Sequence, residues 1–214
     1  PRPKAKEVAA FAGAQTGPVV DALGGRAALD YRIKPIAPLT ATLVGVAVTC
    51  HCGPADNLGL FGALDVARPG DIIVCAADAY TGTATTGDLV MGMYRNKGVV
   101  GFITDGMVRD VVGIVAVGLP CFAAGVTPNS PVRNGPATVG LPVTIGGVQV
   151  ESGDIIVADG DGVVVVPRAR AAKTIEALQA VRAAEAALEA KVKAGLQMPE
   201  FAKAILASDR VVEV

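Results

Sequence analysis

The sequence is poor in the residues that build several common kinds of site. Among 214 residues there is one histidine, no tryptophan, and an aromatic content of only 4%. A histidine-rich zinc site is therefore excluded, because it needs several imidazole ligands. Basic residues (19) nearly balance acidic residues (20), and no segment concentrates Lys and Arg. We therefore expect no nucleic-acid partner.

The sequence also lacks any apolar run long enough to cross a membrane. The longest runs, such as 43–50 and 162–166, have the length of a strand and fall far short of the roughly 20 residues that a spanning helix needs. The basic residues Arg2 and Lys4 are not followed by the apolar segment of a secretory signal peptide. These absences predict a cytoplasmic protein with no membrane partner.

Four cysteines are present, and their surroundings argue against disulfides. Cys50, Cys52, Cys75 and Cys121 lie in or beside apolar segments of strand length, where a free cysteine behaves as a small buried apolar residue. The tripeptide 50–52 has the residue types of a metal site. Alternation along a strand, however, sends His51 to the face opposite both cysteines, so we do not expect zinc there.

Length and pattern predict one domain of mixed α/β structure. Half of the residues are apolar (51%), so residues 1–214 can bury a core as a single domain. An antiparallel meander is expected over 138–166, a long loop over 127–136, and a C-terminal helical segment over about 168–207. Further strands are expected near 43–49, 72–76, 99–104 and 120–124, and helices near 16–23, 57–67, 86–97 and 108–118.

The most informative segment is GTATTGDLVM, residues 82–91. Its two glycines have the spacing of a phosphate-binding loop, but Asp88 stands where that loop needs a lysine, and a carboxylate would repel phosphate. The segment therefore indicates a helix start whose free N–H groups and dipole favour a small carboxylate ligand. Gly87 would let that ligand approach closely. Taken alone, Asp88 is equally well explained as an acid that complements the helix dipole.

The second informative segment is GVVGFITDGMVRD, residues 98–110, a buried strand that ends in a polar turn. Arg109 and Asp110 are adjacent there, between the apolar residues Val108 and Val111. Charged side chains usually lie on solvated surfaces. A charged pair between apolar neighbours therefore indicates a functional site.

Together these segments resemble the RraA-like proteins, a family that includes the class II 4-hydroxy-4-methyl-2-oxoglutarate and 4-carboxy-4-hydroxy-2-oxoadipate aldolases. The resemblance rests on the run DLVM at 88–91 and on the twenty residues between Asp88 and the Arg109-Asp110 pair. It covers most of the chain. Supporting matches are GPADN at 53–57, PGDI at 69–72, TDG at 104–106 and DGDGVVVVP at 159–167.

The resemblance implies a layered β/β/α fold of the swivelling-domain type with C-terminal helices, assembled as a homotrimer or hexamer with sites between subunits. It implies that Asp110 ligates Mg²⁺ or Mn²⁺ directly and that Asp88 holds a metal-bound water. Arg109 and Asp88 would be the catalytic residues, with Arg109 facing the substrate oxygens. The other substrate-binding positions would be those at the helix start: Gly87, Asp88, Leu89, Val90 and Met91.

A further acid is implied in the C-terminal helix. One apolar stripe is expected there, at 100° per residue, from Ile175, Leu178, Val181, Leu188 and Val192. Glu185 falls near the middle of this stripe, where a carboxylate is costly without a partner. In the resembling aldolases an acid from a neighbouring subunit also holds a metal-bound water. Glu185 is the residue matched to it.

The implied activity is that of a divalent-metal-dependent lyase. It would cleave 4-hydroxy-2-oxo diacids to pyruvate and a second oxo acid through a pyruvate enolate, with the metal as Lewis acid and Arg109 stabilising the negative charge. Oxaloacetate decarboxylation would be a side activity through the same enolate. The alternatives are a non-catalytic regulator that acts by protein–protein binding, like the family's namesake regulator of ribonuclease E, and a small-molecule sensor.

Two segments depart from the family pattern. Residues 111–113 (VVG) follow the Arg-Asp pair where the family often has an acid, and residues 58–61 (LGLF) stand where many aldolases have a histidine. Both departures weaken the claim to the aldolases' particular substrate and leave the metal and enolate chemistry intact. The distal carboxylate of a substrate would be contacted from loops, by residues such as Arg133 or Asn134.

Overall fold

A computed structural model describes residues 1–212. The chain divides into two compact units, residues 1–178 and a unit that begins at Gln179. The helices are α1 (Ala5–Ala9), α2 (Thr16–Ala22), α3 (Leu58–Val66), α4 (Asp88–Asn96), α5 (Val111–Val117), α6 (Ala171–Lys193) and α7 (Glu200–Leu206), with a 3₁₀ turn at Arg168–Arg170.

Thirteen strands are described, most of them short. They are β1 (Lys34–Pro35), β2 (Leu43–His51), β3 (Asp71–Ala76), β4 (Ala84–Thr86), β5 (Gly101–Thr104), β6 (Met107–Val108), β7 (Cys121–Ala123), β8 (Gly125–Val126), β9 (Thr138–Val139), β10 (Val143–Ile145), β11 (Val148–Val150), β12 (Ile155–Asp159) and β13 (Gly162–Val166).

The main sheet has eight strands in the order β1-β7-β5-β3-β2-β12-β13, with β9 paired to the end of β2. Strands β2, β3, β5 and β7 are parallel, whereas β12 and β13 form an antiparallel hairpin that joins β2. The terminal strands β1 and β13 contact each other, so the sheet is nearly closed. The central strand β3 is buried at every position, as expected for a parallel strand covered on both faces.

Alternation along the strands divides the core into two layers. Residues such as Val48, Ile73 and Phe102 point to one face and pack against α3, α4 and α5. Their neighbours, such as Ala47 and Ile72, point to the other face, where the hairpin β10–β11 covers them. This is the expected layered β/β/α arrangement. The predicted strands and helices of this region are confirmed within a few residues.

A third apolar cluster closes the edge of the first unit. Side chains of α2 and of the segment before it, including Phe11 and Val19, pack on the outer face of β12 and β13. The first turns of α6 join them through Leu178, and Ile175 packs against the same cluster. Helix α1 was not expected from the sequence. It has no buried residues and is only five residues long. Its sequence therefore has no apolar periodicity from which a helix could be predicted.

A second, small sheet positions the candidate site. It consists of three short parallel strands in the order β4-β6-β8. The sequence had indicated helices from 86 and from 108 and no strand before either. The second helix begins instead at Val111, because Met107 and Val108 pair with this sheet and Asp110 adopts a left-handed backbone conformation (φ 57°, ψ 43°), which a right-handed helix cannot include.

The C-terminal unit holds the remainder of α6 and the helix α7. Glu185 is exposed there, and Leu188 and Val192 are 41% and 55% exposed. The expectation of an apolar stripe buried along its whole length is therefore wrong for a single chain, since burial ends at Leu178 and Val181. Among residues 1–212, no helix is both long and apolar enough to cross a bilayer.

Candidate active site

The candidate site lies where β4 and β6 end. These strands are parallel neighbours, and each leads directly into a helix, β4 into α4 and β6 into α5. Their carboxyl ends therefore bring two helix N-termini together, the usual place for a ligand in parallel α/β sheets. The resulting cleft is lined by Asn57, Thr86, Gly87, Asp88, Leu89, Val90, Arg109, Asp110, Pro131 and Arg133.

Arg109 and Asp110 occupy one wall of this cleft. The Arg109 backbone N–H donates to Thr86 O (3.0 Å), its Nη1 donates to Ser130 Oγ (2.5 Å), and its Nε lies 3.2 Å from Asp110 Oδ2. The guanidinium is therefore oriented by two partners, and the Asp110 side chain remains 45% exposed. Its left-handed backbone is uncommon outside glycine, although aspartate tolerates it better than most residues, and such strain often accompanies function.

Each of the two aspartates packs against a glycine next to or in the helix that follows the other strand: Asp110 against Gly87, and Asp88 against Gly113. A side-chain carbon at Gly87, next to Asp88, would collide with Asp110 Oδ2, and one at Gly113, in α5, would collide with the carboxylate of Asp88. Both carboxylates thus occupy space at the junction of α4 and α5 that only glycine leaves open. Residues 111–113 are where the family pattern suggested an acid. In this chain Asp88 extends into the space above Gly113.

The N-terminus of α4 offers fewer free donors than the sequence suggested. The Met91 N–H donates to Gly87 O (3.2 Å), and the Met91 side chain is fully buried among α3, α4 and the sheet. Met91, one of the predicted substrate-binding residues, therefore does not line the cleft, and its N–H already takes part in the first turn of the helix. Leu89 and Val90 line the cleft as expected, and their N–H groups precede that first helical bond.

The loop 127–136 borders the cleft and contributes an arginine to it. Arg133 lines the cleft, and its guanidinium carbon lies 5.6 Å from the centre of the Phe61 ring, within cation–π range. Phe61 belongs to the segment in which a histidine was expected. Asn134, the other residue considered for the distal carboxylate, does not line the cleft. Its backbone N–H donates to Asp56 instead.

The carboxylate of Asp56 holds this loop through hydrogen bonds. Its Oδ1 accepts the N–H of Leu58 (2.8 Å), and its Oδ2 accepts those of Asn134 (2.6 Å) and Gly135 (2.9 Å). Burial alone would raise the pKa of Asp56, but the backbone N–H donors together outweigh burial and lower it. Asp56 therefore stays ionised and ties the loop to the start of α3.

Asn57 is a site residue that the sequence did not single out as one. It is only 3% exposed, its Nδ2 donates to Thr85 O (3.1 Å), and its Oδ1 has no hydrogen-bond partner in the part of the chain that the structure describes. A buried carbonyl oxygen without a donor is costly, and this one belongs to a residue that lines the cleft. The only signal in the sequence was its place in the GPADN motif.

The oxygen donors of the cleft fit a hard divalent cation. Asp88 and Asp110 supply carboxylates, the ligand type preferred by Mg²⁺ and Mn²⁺. An ion held by so few protein ligands keeps several exchangeable positions. Glu185, the third expected acid, lies in the C-terminal unit and is exposed.

Comparison with known proteins shows the family of this chain. The family model described as RraA-like, Aldolase/RraA, matches residues 16–165. A protein of Halalkalibacterium halodurans named "Putative 4-hydroxy-4-methyl-2-oxoglutarate aldolase" is 34% identical over 171 residues, which are 80% of this chain and 81% of that protein. The chain belongs to the RraA-like family.

Two solved structures extend the comparison. Streptomyces coelicolor RraAS2, described as an unusual member of the RNase ES inhibitor RraA protein family, matches with a TM-score of 0.76 at 26% identity over 89% of this chain and 100% of that chain. The RNA-processing inhibitor RraA from Thermus thermophilis matches with a TM-score of 0.66 at 25% identity over 72% and 93%. RraA-like proteins thus include members named as aldolases and members named as inhibitors.

Proposed function

We propose that this RraA-like protein is a divalent-metal-dependent lyase that cleaves 4-hydroxy-2-oxo diacids to pyruvate and a second oxo acid. The supporting observation is the convergence of Asp88, Asp110 and Arg109 on one cleft at the N-termini of α4 and α5. A protein that acts only by binding another protein has no need of two acids and an oriented guanidinium in a recess. The name of the H. halodurans relative agrees with this activity.

The N-terminus of α4 would bind the carboxylate of the 2-oxo acid. The N–H groups of Leu89 and Val90 precede the first helical hydrogen bond, and the helix dipole favours an anion at that point. Gly87 is extended at the N-cap and presents no side chain to an approaching ligand. The substrate would therefore lie with its 2-oxo group toward Arg109 and Asp110.

Asp110 would hold Mg²⁺ or Mn²⁺ directly, and Asp88 would hold it through water. The ion would act as a Lewis acid on the 2-oxo group of the substrate. Arg109 lies beside Asp110 and is held by Ser130, so its guanidinium would stabilise the negative charge that develops on the keto oxygen as the carbon–carbon bond breaks. Asp88 would accept or return a proton through water.

Arg133 would select a diacid. It lines the same cleft as Arg109, and its guanidinium lies within cation–π range of the Phe61 ring. A guanidinium pairs with a carboxylate through two parallel hydrogen bonds, so a second carboxylate at the far end of the substrate would find its partner there. Oxaloacetate, a shorter diacid, would then lose carbon dioxide through the same enolate.

Assembly of several copies belongs to this proposal. Leu89 and Val112, beside the cleft, are 76% and 86% exposed, although large apolar side chains are usually buried. We propose that they form contacts in a homotrimer or hexamer, and that Glu185 of a neighbouring copy supplies the third acid. Sedimentation would show the assembly. A protein that remained monomeric at assay concentration while fully active would contradict this part.

The deciding experiment measures pyruvate release. The protein is incubated with oxaloacetate, and separately with 4-hydroxy-4-methyl-2-oxoglutarate, in the presence of Mg²⁺, and pyruvate is followed. We expect turnover that is abolished by EDTA, restored by excess Mg²⁺, and lost in Asp110→Ala. The matched control is Asp65→Ala, an exposed acid outside the cleft, which should retain activity. Equal background rates in all samples would leave the non-catalytic regulator as the better explanation.

A further inference from the structure

Three cysteines meet in the core, apart from the proposed lyase site. Cys50 and Cys75 are directly paired across β2 and β3, and Cys52 follows two residues later on the same face. All three are at most 1% exposed, and their sulfur atoms lie within 4.8 Å of one another. The Cys75 and Cys52 sulfurs are 3.5 Å apart.

Strand alternation produces this cluster. It sends His51 to the opposite side, where its Nε2 lies 2.9 Å from Asp78 Oδ1. The side chain of His51 therefore lies away from those of Cys50 and Cys52, as the sequence indicated. The same alternation brings in Cys75 from the neighbouring strand, which only the sheet register could reveal.

Helix α3 begins against this cluster. A side-chain carbon at Gly59 would lie 3.0 Å from Cys52 Sγ, so this glycine lets the first turn of the helix approach the sulfur. Hydrogen bonds from Cys50 and then Cys75 lower the pKa of Cys52, burial opposes them, and backbone N–H groups of Leu60 and Gly59 lower it further. The pKa values of Cys50 and Cys75 are raised, first by hydrogen bonds within the group and then by burial.

We propose that Cys50, Cys52 and Cys75 form a three-sulfur site for a soft monovalent metal ion of the Cu(I) class. Thiolate sulfur selects soft ions. An ion about 2.3 Å from each of three sulfurs, a typical metal–sulfur distance, holds them about 4 Å apart, which agrees with the observed spacing. The proposal does not depend on the lyase activity.

The surroundings favour a monovalent, three-coordinate ion over zinc. Structural zinc takes four ligands, but within residues 1–212 no fourth cysteine, histidine or carboxylate joins the group. A monovalent ion also brings less charge into this apolar core than a divalent ion would, and each charge buried there is costly. Each thiol proton that the ion displaces passes to solvent.

The fourth cysteine provides a matched control. Cys121 is buried in the same apolar cluster (3% exposed), but it is not part of the three-sulfur group. Burial alone raises its pKa to about 12. If burial of cysteine in this core were sufficient to bind metal, Cys121 would contribute as the others do.

The test is a Cu(I) titration of the reduced full-length protein against a chromophoric Cu(I) chelator, performed on native protein and on protein refolded with one equivalent of ion. We expect one ion per chain and sulfur-to-copper charge-transfer absorption in the ultraviolet. Affinity should fall at least tenfold in Cys52→Ser and in Cys75→Ser, and should not change in Cys121→Ser. Serine keeps the shape of the side chain and removes the soft donor, and thermal melting checks that each variant folds.

Three results would overturn the proposal. The first is no stoichiometric binding by either native or refolded protein. The second is equal loss of affinity in Cys121→Ser, which would show non-specific thiol binding. The third is a disulfide between Cys52 and Cys75 in protein purified under reducing conditions, seen as the loss of two hydrogen atoms in mass, because the sulfurs would then be unavailable to a metal.

Discussion

The two groups of candidate ligands in this protein use similar local architecture for opposite chemistry. In each, a strand leads into a helix whose first turn lies beside the candidate ligands. At the aspartates, β4 leads directly to α4, and at the cysteines, β2 leads through 52–57 to α3. The first group offers carboxylate oxygens in a cleft open to solvent, and the second offers sulfur in a closed core. Position relative to a helix start therefore does not fix the chemistry. Donor type and solvent access do, because they decide which ion binds and whether substrate can reach it.

The largest expected effect separates the two groups by donor type. Asp110→Ala should reduce pyruvate release roughly thousandfold, equivalent to about 4 kcal/mol of transition-state stabilisation, because it removes the direct oxygen ligand. Cys52→Ser should leave the rate within about twofold, a change too small to indicate a lost transition-state contact. Steady-state kinetics with Mg²⁺ in excess measures both. Loss of lyase activity in the cysteine variant, with its fold intact, would show that the two groups are coupled.

The next prediction concerns the glycine under Asp88. Gly113→Ala should displace the Asp88 carboxylate and reduce kcat about ten- to a hundredfold, the range for losing ligand orientation at a metal. The added carbon would also lie 2.6 Å from Asp88 Cβ, so the Tm should fall as well, although alanine improves helix propensity by about 1 kcal/mol. Kinetics and thermal melting separate the two effects.

Gly92→Ala in α4 is the control for that prediction, because its added carbon meets nothing closer than 4.0 Å. It should gain helix propensity without losing activity. If Gly113→Ala retained full activity, Asp88 would not need the position that the structure gives it.

A smaller effect tests the role of Arg133. Arg133→Ala should raise KM for 4-hydroxy-4-methyl-2-oxoglutarate about tenfold, equivalent to about 1.4 kcal/mol of lost carboxylate binding, with little change in kcat. The same variant should not affect the decarboxylation of oxaloacetate, because that shorter diacid would not reach Arg133. An equal rise in KM for both substrates would mean that Arg133 acts on general electrostatics and not on the distal carboxylate.

The smallest effect concerns the loop that carries Arg133. Asp56→Asn replaces one carboxylate oxygen by an NH2 group, which cannot accept a hydrogen bond, while both oxygens of Asp56 accept backbone N–H groups. At pH 7 we expect a decrease in Tm of about 2–4 °C. Because the native pKa of Asp56 is lowered from 3.8, its stabilisation is complete above that value and is lost as pH falls through the native pKa.

Thermal melts of wild type and Asp56→Asn from pH 7 to pH 2 check this sign. The difference in Tm should shrink as the solution becomes more acidic. A difference that stayed constant to pH 2 would show that the loop is not held by the ionised carboxylate.

Much of the fold followed from local pattern. The valine-rich strands, the helix after Asn57 and the hairpins of 138–166 were predictable, because alternation and turn residues act within a few positions. The start of α5 was not. Met107 and Val108 belong to a strand only because β4 and β8 lie beside them, and the left-handed conformation of Asp110 is imposed by that junction.

The sequence also located most, but not all, of the residues that line the candidate lyase site. Residues 87–90, Arg109 and Asp110 do line one cleft, but Met91 is in the core, and Asn57 was not among the predicted site residues. Its amide nitrogen donates to Thr85, 28 residues further along the chain, and its oxygen lacks a partner within residues 1–212. No local pattern records such a contact.

The sequence alone determined which residues could carry chemistry and the helix and strand periods on which they lie, because side-chain type and periodicity are properties of short segments. Tertiary structure decided which of them meet. It placed each aspartate over the other's glycine and Cys75 beside Cys50 and Cys52, while turning His51 away. The physical reason is that sheet register and helix packing set distances between residues far apart in sequence, and metal binding depends on those distances to within a few tenths of an ångström.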